Sequence, residues 1–207
     1  CYLLGGWTTK TTPSWDAVLI DRYALGWSQV WYPVEQPAAG TDWTAVNTGA
    51  GPILLFELNA VKSVATTLNH GYWRSSTLTS GNAAVRFAVS VAAGSTTTSQ
   101  VAVRLALASC EVTVQCSSTG YRVVDGSAVQ IGTVAVDMSS PSAPVQIWVE
   151  VDNSTRAITV YHRTYDHGEE RTWSAGASGT LSSTTPAARV VEWGNLATPS
   201  VGQTVWW

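Results

Sequence analysis

The chain has 207 residues and only 12% of them are charged, 11 Lys and Arg against 14 Asp and Glu, for a net charge of −3. That is half the ~25% of an average soluble domain, and 48 Ser and Thr and 11 Trp fill the gap. This composition excludes a basic nucleic-acid footprint, the 45% apolar content excludes a disordered tail, and no run approaches the ~20 apolar residues of a helical membrane span.

The first 80 residues are irregular. They carry Trp7, Trp15, Trp27, Trp31, Trp43 and Trp73 among prolines such as Pro33, Pro37 and Pro52. Apolar runs at Ala17–Ile20 and Ile53–Leu58 read as strands. Leu58, Val61, Ala65 and Leu68 also fall at helical spacing, and periodicity leaves the two readings open over 55–68. From residue 83 the texture is strand. Val85, Phe87, Val89 and Val91 alternate onto one face, and Val101, Val103, Leu105 and Leu107 repeat the pattern after a polar loop at 92–99. Further strands are predicted at Val112–Cys116, Tyr121–Val124, Ala128–Val136, Gln146–Val151, Ala157–Arg163 and Arg189–Trp193. Turn signals at Ser117–Gly120, Asp125-Gly126, Ser139–Pro144, Asp152–Ser154 and Asp166–Gly168 separate them. Many short strands with turns every 8–12 residues predict an all-β, antiparallel sandwich or barrel. We expect one domain over 1–207, with a sub-boundary at 74–81 as the alternative, and a chain that is a segment of a longer protein.

Candidate chemistry is sparse. Glu150 and Asp152 share a strand face, but the preferred reading is a polar strand entering a hairpin. His162, Asp166, His167 and Glu169 cluster near a turn that reads as exposed, so no metal and no cofactor are expected. Gly-x-Ser-x-Gly, Walker and Gly-x-Gly-x-x-Gly motifs are absent. Cys110 and Cys116 share strand parity and lie too far apart along one strand to bond each other, so buried free thiols are expected. Trp148 and Trp193 lie on strands and are expected in the core. Trp27, Trp31, Tyr32, Trp43, Trp206 and Trp207 are the candidate contact residues, since aromatic side chains anchor protein interfaces and suit the apolar faces of sugar rings.

The segment Trp148–Tyr161, a Trp strand followed by a polar turn and a strand ending in an aromatic, resembles the hairpin of laminin-G-like, concanavalin A-like jelly rolls. Val191–Asn195 is similar to that family's later strand and glycine, and Val205-Trp206-Trp207 falls where its closing strand begins. The likeness spans about residues 83–207 and implies a concanavalin A-like β-sandwich with a less regular N-terminal region. In concanavalin-like glucanases a Glu-x-Asp-x-x-Glu strand gathers three carboxylates; here Glu150 and Asp152 fill the first two positions and Thr155 stands in the third. The low charge and high Ser/Thr content resemble jelly-roll modules of bacteriophage minor tail and fibre proteins. That resemblance implies a non-enzymatic assembly module, virion-borne or extracellular, that associates with itself or neighbouring structural proteins. The alternative is a lectin-like module that binds a cell-surface glycan, and a glucanase-type hydrolase using Glu150 and Asp152 stands third.

Overall fold

A computed structural model describes residues 18–22, 26–31, 43–57, 60–75, 81–93, 101–166, 169–170, 172–199 and 202–207. Every regular element among them is a strand. In chain order these are β1 (Val18–Arg22), β2 (Gly26–Trp31), β3 (Thr44–Thr48), β4 (Ile53–Glu57), β5 (Ala60–Ala65), β6 (His70–Ser75), β7 (Ala83–Val91), β8 (Val101–Ala106) and β9 (Glu111–Ser117). They continue with β10 (Gly120–Asp125), β11 (Gln130–Ala135), β12 (Val145–Val151), β13 (Ala157–Asp166), β14 (Glu169–Glu170), β15 (Ser174–Thr180), β16 (Val190–Asn195) and β17 (Gln203–Trp206). In the stretch 55–68, open between helix and strand on periodicity, the described residues up to Ala65 belong to the antiparallel strands β4 and β5.

Two antiparallel sheets result. One runs β11-β10-β9-β8-β16-β6-β3; the other runs β14-β13-β12-β7-β17-β5-β4, with β1, β2 and β15 attached. Both draw strands from either side of 74–81, since β6 pairs with β16 and β5 with β17. Period-two alternation explains the layering. Val85, Phe87, Val89 and Val91 point inward from β7 and meet Val101, Val103 and Leu105 from β8, all buried.

Tryptophans fill one end of this core. Trp193 stacks on Trp73 with centroids 4.5 Å apart, and Trp43 and Trp207 approach it edge-on at 6.2 and 5.3 Å. Such offset and T-shaped pairs satisfy the ring quadrupoles as well as removing large apolar area from water. Cys110 and Cys116 are buried free thiols, and loss of solvent pushes both upward in pKa.

The turns are chemically set. Asp152 Oδ1 accepts from the backbone N–H groups of Ser154 and Thr155 and from the Ser154 hydroxyl, closing the β12–β13 hairpin. Asp125 does the same for β10–β11 through Ser127 and Val129. Across the sandwich, the Tyr121 hydroxyl meets His162 Nδ1 at 3.1 Å and ties β10 to β13. His162 is therefore half-buried on β13, within the strand predicted at Ala157–Arg163, and His167, in the turn read as exposed, lies outside the described residues.

Candidate functional site

The outward face of the seven-stranded sheet holds a cluster of paired polar side chains. Cross-strand register builds it as two adjacent rows. The first row is Thr44, Arg74, Glu192, Arg104 and Thr113, one residue each from β3, β6, β16, β8 and β9. The second is Val46, Tyr72, Gly194, Ala102, Gln115, Arg122 and Thr133, extending through β10 and β11.

Glu192 is the hub of the first row. Its Oε1 pairs with Arg74 Nε at 2.5 Å and its Oε2 with Arg104 Nη1 at 2.7 Å. Arg104 also forks onto both oxygens of Glu111, at 2.8 and 2.7 Å. The Glu192 side chain is only 3% exposed, against 42% for Arg74. A carboxylate so deeply buried is tolerable because both oxygens are paired, and removing one partner of such a pair costs about 3–5 kcal/mol. Hydrogen bonds to Glu111 push Arg104 further into its charged form; burial opposes them and Glu192 reinforces them.

The second row supplies shape. Gly194 and Ala102 carry no side chain beyond a methyl, so two adjacent strands form a low floor that is itself buried beneath the neighbouring side chains. Gly194 has φ +129°, and a Cβ there would lie 2.8 Å from the Gly71 carbonyl oxygen and from Tyr72 Cα, so glycine alone lets β6 approach this closely. Half-buried Tyr72 borders the floor on one side, with its hydroxyl accepting from Arg74 Nη2 at 3.2 Å. On the other side Arg122 Nε donates to Gln115 Oε1. His70 shares the Tyr72 face, is buried, and its Nδ1 has no hydrogen-bond partner among the described residues.

The residues expected to make contact are dispersed. Trp43 and Trp207 are core residues, 4% and 3% exposed, because the Trp193 cluster takes them up. Trp206 is half-buried beneath Lys62, whose ammonium lies 5.7 Å from the ring centroid. Trp27 and Trp31 lie on β2, where only the backbone course is described, and Tyr32 lies outside the described residues. Trp193 is buried as the sequence predicts, whereas Trp148 is half-buried on the outward face of the other sheet, packed against Tyr161 and Trp173. Glu150 shares that outward face. With Asp152 engaged in its turn, the pair offers no matched carboxylates. Among the described residues no group of three His, Cys, Asp or Glu side chains comes together as a metal site.

Sequence reasoning missed Arg74, Arg104, Arg122, Glu111, Glu192 and Tyr72. The available signal was rarity: five of the chain's 25 charged side chains meet on one face.

No family model matches the chain, and no curated protein does. Among solved structures it is similar to lectin I-B4 of Griffonia simplicifolia in its metal-free form, with 13% identity over 81% of this chain and 91% of that one, at a TM-score of 0.50. It is also similar to the catalytic domain of a glycoside hydrolase family 131 protein from Coprinopsis cinerea (12% identity, 79% and 80% covered, TM-score 0.48). A third similar structure is the exoplasmic/lumenal domain of VIP36 in its Ca2+/Man-bound form (9% identity, 80% of each chain, TM-score 0.47). None of the three points to a bacteriophage tail or fibre protein. At these identities the likeness speaks for fold, and it agrees with the two antiparallel sheets described above: the chain is a concanavalin A-like β-sandwich.

Proposed function

We propose that the chain is a carbohydrate-binding module whose ligand lies across the outward face of the seven-stranded sheet. The observation that carries this reading is the assembly of Arg74, Arg104, Arg122, Glu111, Glu192, Gln115 and Tyr72 on that one face. Fixed guanidinium, carboxylate and amide groups suit the paired hydroxyls of a sugar, and the half-buried ring of Tyr72 suits its apolar face.

The ion pairing favours binding over hydrolysis. Glycoside cleavage needs one carboxyl to give a proton and another to act as nucleophile or base. Here all four oxygens of Glu111 and Glu192 are already engaged by Arg74 and Arg104. The fold agrees with a binding role, since the similar Griffonia protein is a lectin, although fold alone decides no function. Glycans of extracellular surfaces are the ligand class that fits.

A glycan microarray tests the reading. Selective binding is expected, and Tyr72→Ala should weaken it by about tenfold, the equivalent of 1.4 kcal/mol, with an unchanged melting temperature. Silence across the array, or full binding by the variant, would defeat the proposal.

A further inference from the structure

Resting on that glycan-binding reading, we infer that the ligand is an anionic glycan whose sugars carry carboxylates, and that Arg122 receives one of them. The charge balance of the face leads there. Three guanidiniums, Arg74, Arg104 and Arg122, stand against two carboxylates, Glu111 and Glu192. Both carboxylates are consumed by the first two arginines. Arg122 has only the neutral Gln115 amide oxygen. Among the described residues of this face one positive charge is left over, in a chain that has 11 Lys and Arg in all.

The geometry specifies what that charge is prepared to bind. The Gln115 bond takes Arg122 Nε and fixes the guanidinium plane, while both terminal nitrogens lack a partner among the described residues. Two parallel N–H groups in one plane match the two oxygens of a carboxylate, and a fixed fork loses less entropy on binding than a free one. Thr133 and Gln115 flank Arg122 across the strands and offer a hydroxyl and an amide to neighbouring sugar hydroxyls.

Position sets the ligand's length. Tyr72 and Arg122 are four strand steps apart through Gly194, Ala102 and Gln115, about 19 Å at ~4.8 Å per step. One sugar ring does not span that distance. The ligand is therefore an oligosaccharide laid across the strands, one ring beside Tyr72 and a uronate-type carboxylate at Arg122.

Calorimetric titration with oligouronates from pectate and alginate, each compared with its uncharged methyl ester, tests this. A carrageenan tetrasaccharide, sulfated and free of carboxylate, serves as the third probe. The acids are expected to bind at least about tenfold tighter than their esters, with a preference that weakens as salt rises. Arg122→Gln should erase the preference with the melting temperature unchanged, and Arg122→Lys should keep part of it. Equal binding of acid and ester, a preference that survives Arg122→Gln, or tighter binding of the sulfated probe would overturn the inference and leave the glycan-binding reading standing. Failure of all three probes together with a silent microarray would overturn both.

Discussion

Single residues in this chain take their roles from partners distant in sequence. Arg74 and Glu192 are 118 positions apart, Arg104 and Glu192 are 88, and Arg122 and Gln115 only 7. Each reads locally as one polar position on an alternating strand, so no motif announces the cluster. Trp43 illustrates the opposite error: a loop-rich local sequence reads as surface, whereas tertiary packing against Trp193 puts it inside. His162 carries the clearest pH prediction. Burial lowers its pKa below the ordinary 6.5, so the fold holds the neutral ring bonded to Tyr121. The unfolded chain then binds more protons below pH 6.5, and stability rises with pH through that range. It is fully present above 6.5, falls as the pH drops below it, and levels off beneath the folded value. Melting temperatures from pH 8 to pH 5 should show this decline, and His162→Gln should flatten it. An equal decline in the variant would assign the effect to other groups.

Elements were legible where burial on one face enforces alternation. β7, β8 and β12 bury their odd-numbered apolar side chains between the sheets, β9 its even-numbered Val112, Val114 and Cys116, and all four show it in sequence. β3 and β15 did not stand out. β3 is a mostly exposed edge strand, and β15, with the sequence SAGASGT, has small side chains and little burial to impose a period. β4 is also an edge strand, at the end of the larger sheet, yet it exposes Ile53 at 61% and Leu55 at 43%. An apolar edge without lysine or proline is a template for pairing with another chain. The self-association expected from the sequence is predicted to use this edge: light scattering should show a mass that rises with concentration, and Leu55→Lys should return it to monomer. A wild-type chain that stays monomeric at high concentration would remove the assembly role from this edge.

At the scale of the whole molecule, low charge is what makes the site readable. A sandwich with two well-filled layers needs almost no ion pairs for stability. The Arg–Glu network on the outward face of the smaller sheet therefore invites a functional account, since exposed pairs contribute only ~0–1 kcal/mol each and buried ones often no more than an apolar replacement. The topology assembles that face from β6, β8, β9, β10 and β16, strands from both halves of the chain, so it exists only in the complete sandwich. The fold class was legible from strand spacing; the site was not, because register between distant strands creates it. Amide chemical-shift mapping during titration with a microarray-selected oligosaccharide tests the central claim most directly. Perturbations centred on Tyr72, Ala102, Gln115, Arg122 and Gly194 are expected. Perturbations confined to the outward face of the other sheet, around Trp148 and Trp173, would contradict it.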